Sequence, residues 1–222
     1  MKSLILFTFL LVAATATGTA FGASFKEACP DLKKCIENVG ELTGKKYLFQ
    51  EKIKGKILAS SNVELTSANA DTLLSHSLNQ LGYTRVPLNI ENTYSVINSR
   101  DIRYTPTIQT NATKKQAPKI PNVDDYYMVS YKASHPQITT VVTRALRPFM
   151  SRYGRIIDNK MTGTIILQDT ANNIHRLYKL IVAMDVKPKK NLVTQWKHDS
   201  KMRWKERIAE AGSVKCRKEK GH

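Results

Sequence analysis

Two blocks of short helices and short strands, joined by a polar segment, restrict the fold of this chain most. In the first block, apolar residues recur at helical spacing over Leu32–Leu42 and Leu73–Leu81. Gly44 and Gly82 stand where these two helices should end, and Asp71 is expected to cap the second. Apolar runs predict strands at Ser24–Lys26, Tyr47–Phe49, Ile57–Ala59, Tyr83–Ile90 and Thr93–Asn98. The predicted order of the first block is βαββαββ.

The second block follows Thr105–Val123, which contains Pro, Thr, Gln and Asn without apolar periodicity and is predicted to be a linker. Its pattern is βαββα, with elements expected at Tyr126–Tyr131, Pro136–Met150, Arg155–Asp158, Gly163–Gln168 and Ala171–Ala183. The expected fold class is α+β, with small domains at residues 23–104 and 124–186. Residues 187–222 form a basic tail, in which Asn191–Trp196 could add an edge strand and Asp199–Gly212 a short helix.

The amino terminus predicts export. Lys2 precedes an apolar run from Leu4 to Ala13, and small residues follow up to Ala23. This is the pattern of a cleavable secretory signal, so residues 1–22 are expected to be removed and the mature protein to lie in the periplasm. An uncleaved membrane anchor is the alternative, and association with the outer or inner membrane stays open.

The charge is strongly positive, with 35 Lys and Arg against 18 Asp and Glu. Twelve of the basic residues and four of the acidic ones lie in residues 187–222, where Trp196 and Trp204 stand among them. Such a segment is drawn to anionic membrane surfaces or to DNA, although a solvated basic end would look the same. The candidate contacts to an anionic partner are Arg152, Arg155, Lys187, Lys189, Lys190, Arg203, Lys205 and Arg207.

No pattern in the chain predicts catalysis. The five histidines are scattered, and neither a nucleophile elbow nor a glycine-rich phosphate loop is present. We interpret Asp124 and Asp125 as solvated charges at the edge of the linker. His135 is interpreted as a capping or surface residue. We therefore expect no enzyme, no cofactor, no metal and no small-molecule substrate.

The three cysteines are too few for a disulfide-built scaffold. Cys29 lies just before the first helix and Cys35 on its inward face, so a local disulfide is within reach in an oxidising compartment. A buried Cys35 thiol beside a free Cys29 is the alternative. Cys216 is the odd cysteine and could pair with another chain.

The two blocks resemble the two amino-terminal periplasmic domains of secretins. In the first, Ile53-Lys54-Gly55-Lys56-Ile57 and Leu81-Gly82-Tyr83 are similar to motifs of the short secretin and TonB-receptor signalling domain. In the second, Leu146-Arg147-Pro148-Phe149 and Gly163–Thr170 are similar to the KH-like secretin repeat. Secretins continue into further repeats and a channel-forming domain, for which this chain has no counterpart, so the resemblance implies a separate ring or adaptor part.

The resemblance implies a non-enzymatic component of a secretin-type apparatus, for protein secretion or for type IV pili and DNA uptake. The implied partners are a secretin channel, an inner-membrane platform protein, or further copies of the chain in a ring. The alternative is a basic nucleic-acid-binding protein that uses the KH-like domain and the tail. Against it, the Gly-x-x-Gly loop of KH domains is missing, and Ser151–Arg155 is the nearest basic turn. A TonB-type signalling role would leave the second domain unexplained.

Overall fold

Two β-sheets, each packed against helices, organise the chain. The computed structural model describes residues 24–49, 52–58 and 63–219. The predicted signal peptide, residues 1–22, lies outside the described residues. The first domain contains α1 (Phe25–Ala28), α2 (Leu32–Thr43), β1 (Lys46–Leu48), α3 (Ala70–Gln80), β2 (Tyr83–Pro87) and β3 (Thr93–Asn98), followed by a 3₁₀ helix at Ser99–Arg103.

The first sheet has the order β1-β3-β2, in which β1 runs parallel to β3 and β2 antiparallel to it. Helices α2 and α3 supply most of the core, because their apolar residues recur on one face. The buried core residues of these two helices are Leu32, Cys35, Ile36, Val39, Ala70, Leu74 and Leu78. Asp31 caps α2 by accepting a hydrogen bond from Lys34 N at 2.9 Å.

Three predicted features of this domain are wrong. Ser24–Lys26 is not a strand: Ser24 makes a single bridge with Glu64, and its hydroxyl and Glu27 form a capping box that starts α1. Ile57 and Leu58 are not in a strand, since this segment pairs only through Lys56; Ala59 lies outside the described residues. The cap position of α3 is Asn69, and Asp71 lies in the first turn.

Cys29 and Cys35 are joined by a disulfide, with their Cα atoms 4.2 Å apart. Both side chains are fully buried in the first core. Cys29 follows α1 and Cys35 lies in α2, so the bridge ties the short amino-terminal helix to the main helix of the domain.

The second sheet has the order β4-β5-β7-β6, with β4 parallel to β5 and the other pairs antiparallel. The elements are β4 (Gln109–Thr113), β5 (Tyr126–Lys132), α4 (Thr139–Leu146), β6 (Arg155–Asn159), β7 (Thr164–Thr170) and α5 (Ala171–Met184). The helix expected at Pro136–Met150 is α4 flanked by two 3₁₀ turns, one of which holds Pro148. Helices α4 and α5 pack on the sheet through Val142, Leu146, Ile174, Leu177 and Ile181.

The segment expected to be a linker contains β4. Ala112 is buried against the core of the second domain, whereas Gln109 and Asn111 are exposed. Because only one small apolar side chain points inward, the strand has no apolar alternation that the sequence could reveal. Residues 109–113 therefore form an edge strand of the second sheet. The division of the chain at residues 104 and 124 stays a prediction.

The tail is helical: α6 runs from Lys190 to Glu219. The edge strand expected at Asn191–Trp196 is wrong, because those residues form the first turns of this helix. Lys, Arg, Glu, Gln and Met are good helix formers, and no Pro or Gly occurs between Lys190 and Ala211. Among the described helices, none combines the length and the apolar character needed to cross a membrane.

Candidate protein-interaction site

A buried arginine connects the two domains. Arg85, in β2, has a side chain only 3% exposed. Its Nε donates to Asp125 Oδ2 at 2.8 Å, and its Nη1 donates to Asp71 Oδ1 at 2.7 Å and to the Tyr47 hydroxyl at 2.8 Å. Asp125 immediately precedes β5, so one guanidinium holds β1, α3 and the second domain together. We call Arg85, Asp71, Asp125 and Tyr47 the Arg85 cluster.

The cluster extends to the surface through Lys45 and Tyr94. Lys45 forms an ion pair with Asp71 and lies 5.5 Å from the centre of the Tyr94 ring. The Arg85 guanidinium lies at the same distance from that ring. The Tyr94 ring therefore attracts both cations, and the Tyr47 ring, whose centre lies 6.0 Å from the Arg85 guanidinium, attracts Arg85 as well.

Burial and charge act in opposite directions on these groups. Burial alone would raise the pKa of Asp71, but Lys45 and Arg85 hold it below its ordinary value. Burial raises the pKa of Asp125, and Arg85 offsets only part of this effect. Burial alone would lower the pKa of Arg85. The neighbouring Asp125, Tyr47 and Asp71 outweigh this effect, so the pKa of Arg85 is raised above its ordinary value. Burial raises the pKa of Tyr47 to about 12, so its phenol stays neutral and available as an acceptor.

Further contacts complete the boundary between the domains. Val86 and Ile102 pack with Tyr126 in a small buried apolar cluster. Gln168, in β7, donates to the Ile102 carbonyl at 3.1 Å. His76 Nδ1, in the first domain, lies 2.8 Å from Asp124 Oδ2. The relative placement of the two domains is thus set by one buried ion cluster, one apolar cluster and several polar contacts.

The first sheet offers an edge beside the Arg85 cluster. Strand β1 pairs with β3 on one side only, within the described residues. Leu48, in this strand, is 57% exposed. Between β1 and α2 lies an open groove of about 430 Å³, lined by residues that include Ile36, Gly40, Lys46, Tyr47 and Phe49. An edge strand with an apolar groove beside it is the geometry by which a partner strand extends a sheet.

Glycines shape this groove. Gly44 has a φ of +69° and ends α2, which lets the chain turn directly into β1. A Cβ atom on Gly40 would lie 2.9 Å from the Lys45 carbonyl oxygen. The close approach of helix and strand therefore depends on the missing side chain at residue 40.

The structure does not bring the predicted anion contacts together at one site. Arg155, in β6, donates to the Gln168 side chain at 2.6 Å and to the Arg103 carbonyl at 3.2 Å, so it is a contact between the domains. Arg152 is exposed beside the Tyr153 ring. Lys187 and Lys189 precede α6 and are exposed. The exposed residues Lys190, Arg203, Lys205 and Arg207 lie along α6.

Sequence reasoning missed the Arg85 cluster. Asp125 is not solvated: its side chain is 9% exposed and paired with Arg85. The only signal in the sequence was weak: Arg85 is the single charged residue of β2, and no acidic residue lies at strand spacing from it. His135 occupies the N-cap position of the 3₁₀ turn Pro136–Ile138, but its side chain makes no capping hydrogen bond, and its Nδ1 lies 3.1 Å from Asp185 Oδ1. Groups of three or more metal-ligating side chains are missing from the part of the chain that the structure describes.

Comparison with known proteins identifies the domain that carries the β1 edge. Residues 24–93 match the family model of the GspD-like N0 domain of type II secretion. The first domain is similar to a secretin-type N0 domain, and we call it the N0 domain after this similarity. The predicted resemblance to secretin amino-terminal domains is therefore confirmed, as is the α+β fold of two small domains. The N0 domain is a structural domain of secretins and does not belong to an enzyme family.

Solved structures of secretins are similar to this chain. The N-terminal domain of the secretin XcpQ from Pseudomonas aeruginosa is 17% identical, with 72% of this chain and 63% of that chain covered and a TM-score of 0.28. The N0 domain of the type II secretin from enterotoxigenic Escherichia coli is 28% identical, with 31% of this chain and 84% of that chain covered and a TM-score of 0.28.

The outer membrane complex of Klebsiella pneumoniae type II secretion, which contains PulD, PulS and the PulC HR domain, reaches a TM-score of 0.56 at 13% identity. That match covers 75% of this chain and 26% of the other, so the shared fold extends beyond the N0 domain. This chain spans less than two thirds of the XcpQ domain that it matches. No curated protein is significantly similar in sequence.

Proposed function

We propose that this chain is a non-enzymatic periplasmic component of a type II secretion apparatus, which acts as a ring or adaptor module by binding other proteins. The N0 match over residues 24–93 carries the proposal. Secretin N0 domains lie in the periplasm, and the predicted signal peptide would deliver this chain to the same compartment.

The β1 edge and its groove are the proposed binding surface. A partner strand would pair with the free side of β1, and apolar partner side chains would enter the groove over Ile36 and Phe49. The PulD complex contains a PulC HR domain, so a related domain of an inner-membrane platform protein is the proposed partner class. A secretin channel is the second proposed partner.

The second domain is proposed to contact neighbouring subunits in a ring. Strand β6 is an edge of its sheet, and its Ile157 side chain is 53% exposed. Val141, on the adjacent helix α4, is 48% exposed. These exposed apolar side chains at a sheet edge suit a contact between copies of the chain, or with the equivalent domain of a secretin.

Binding assays can test the adaptor role. The chain from Ala23 onwards is titrated with the periplasmic regions of the secretin and platform protein from the same cell, and affinity is measured by calorimetry. Leu48→Asp should weaken binding at least tenfold, because it places a charge on the exposed face of β1, the strand that the partner would extend. Leu58→Asp is the matched control, since Leu58 is 85% exposed and lies outside β1, and should have little effect. Absence of binding to both proteins, or equal effects of the two variants, would contradict the proposal.

A further inference from the structure

Helix α6 presents a long exposed surface that the proposed secretion role does not use. It has 30 residues, which at 1.5 Å per residue correspond to about 45 Å. Between Lys190 and Glu210, every side chain is exposed except those of Val193 and Ser200, which are half-buried. The helix is therefore available to a partner along most of its described length.

The exposed surface of α6 is basic. Between Lys190 and Glu210 it contains six Lys or Arg residues against Asp199, Glu206 and Glu210. Lys187 and Lys189 add two more cations immediately before the helix. A partner with matching negative charge is indicated.

The same helix exposes four large apolar side chains. Leu192 is 55% exposed, Trp196 50%, Trp204 57% and Ile208 51%. At about 100° per residue these side chains fall within a sector of about 160° on the helix surface. Arg203, Arg207 and Glu210 fall in the same sector, so α6 has no purely apolar face and this side mixes tryptophan with charged residues. Met202 lies on the opposite side.

We infer that α6 is a membrane-surface helix that adsorbs to anionic phospholipid headgroups. Tryptophan rings prefer the headgroup region of a bilayer, and Lys and Arg near an anionic surface are attracted to it. Because Arg203 and Arg207 lie among the apolar side chains, the helix stays at headgroup depth with its guanidinium groups on lipid phosphates. Leu192 and Ile208 favour a bilayer over nucleic acid, since a phosphate backbone offers such side chains no apolar environment.

The inference is independent of the proposed secretion role, because it concerns residues outside the N0 domain and the β1 edge. Adsorption of α6 would hold the two folded domains beside a membrane while leaving the β1 edge accessible to a protein partner.

The chain carries its own reporter for this interaction. Trp196 and Trp204 are its only two tryptophans, so intrinsic tryptophan fluorescence observes α6 directly. The chain from Ala23 onwards is mixed with vesicles of phosphatidylglycerol and phosphatidylethanolamine, or of phosphatidylcholine alone. We expect co-sedimentation and a blue-shifted emission with the anionic vesicles only, and reversal of both by high salt.

Variants of α6 separate the two contributions. Arg203→Gln with Arg207→Gln should weaken partitioning roughly fivefold for each charge removed. Ile208→Ser should weaken it severalfold, whereas Met202→Ser, on the opposite side, should change it less than twofold. Circular dichroism of each variant establishes that the helix is retained.

Three results would overturn the inference. The first is a lack of binding to anionic vesicles, and the second is vesicle binding without a change in tryptophan emission. The third is tight binding to duplex or single-stranded DNA with no vesicle binding, which would assign α6 to nucleic acid.

Discussion

Arg85 Nε donates a hydrogen bond to Asp125 Oδ2 at 2.8 Å, and the two residues are 40 positions apart in the chain. The Arg85 side chain is 3% exposed and that of Asp125 9%. The contact joins an inner position of the N0 domain to the start of the second domain. A buried ion pair of this kind adds little stability compared with apolar residues of equal size. Removal of one partner is nevertheless strongly destabilising, because it leaves the other charge buried without a counter-charge.

Replacement of Arg85 by methionine should therefore lower the free energy of unfolding by about 3–5 kcal/mol, because Asp125 and Asp71 lose their shared cation. Urea unfolding at pH 7, followed by far-UV circular dichroism, measures the change. Arg144→Met on the exposed surface of α4 is the control and should stay within about 0.5 kcal/mol. Similar small changes in both variants would show that the Arg85 cluster does not stabilise the fold.

Asp185 should make stability depend on pH. Its buried carboxylate accepts hydrogen bonds from Ser134 N at 2.7 Å, the Tyr131 hydroxyl at 2.8 Å and His135 N at 3.1 Å. Burial by itself would raise the pKa of Asp185, but these donors hold it below its ordinary value. Since the folded pKa is the lower one, its stabilising effect is fully present above the unfolded pKa of about 3.9 and is lost as pH falls through the folded pKa.

Asp185→Asn should accordingly lower the free energy of unfolding by about 1–3 kcal/mol at pH 7, and the difference from the native chain should shrink below about pH 4. Unfolding curves at a series of pH values measure it. Asp101→Asn, at an exposed position of the 3₁₀ helix Ser99–Arg103, should change stability by less than about 0.5 kcal/mol. A difference for Asp185→Asn that does not vary between pH 7 and pH 3 would contradict the prediction.

The disulfide should stabilise the N0 domain. Cys29→Ala with Cys35→Ala opens a short loop and is expected to cost about 2 kcal/mol. Thermal unfolding with and without reductant measures the effect. The native chain should lose a similar amount in reductant, and the double variant should not respond. Cys216→Ala should keep the sensitivity to reductant, and an insensitive native chain would count against the Cys29–Cys35 bond.

Two glycines with positive φ differ in their surroundings and give a matched pair. Gly82 has a φ of +81° and open space where a Cβ would lie. Gly163 has a φ of +65°, and a Cβ there would lie 2.8 Å from Pro136. Gly82→Ala should cost about 1 kcal/mol for the left-handed conformation alone.

Gly163→Ala should cost about 1–3 kcal/mol more than Gly82→Ala, because overpacking against the rigid proline ring is added to the backbone strain. The free energy of unfolding of the two variants is compared under one condition. Equal losses would mean that the turn at Gly163 relaxes away from Pro136.

The family motifs in the sequence have a physical basis in the fold. Gly55 lies in one motif and Leu81 in another, and a Cβ on Gly55 would lie 2.5 Å from Leu81 Cδ1. The Gly55 carbonyl also accepts a hydrogen bond from Leu32 N at 2.9 Å. The two motifs are therefore neighbours in space, and a resemblance carried by both reports a real contact of the N0 domain.

Local pattern was sufficient where an element buries an apolar face of its own. Helices α2, α3 and α5 follow from apolar spacing, the ends of α2 and α3 from Gly44 and Gly82, and β5 and β7 from apolar runs. The basic charge of the tail is likewise a property of composition. Each of these signals lies within one short segment of sequence. It can therefore be recognised without knowing which other elements that segment contacts in the fold.

Tertiary structure alone decided the features that depend on residues far apart in sequence. β4 is a strand because β5 offers a parallel edge, although its own residues are mostly polar. Asp125 can be buried because Arg85 of the first domain donates a hydrogen bond to its carboxylate. Without that cation, burial of Asp125 would be unfavourable. The β1 edge and its groove exist only after α2 packs on the first sheet. Pairing across a sheet and charge pairing across domains are long-range contacts, and no local periodicity encodes which distant residue completes them.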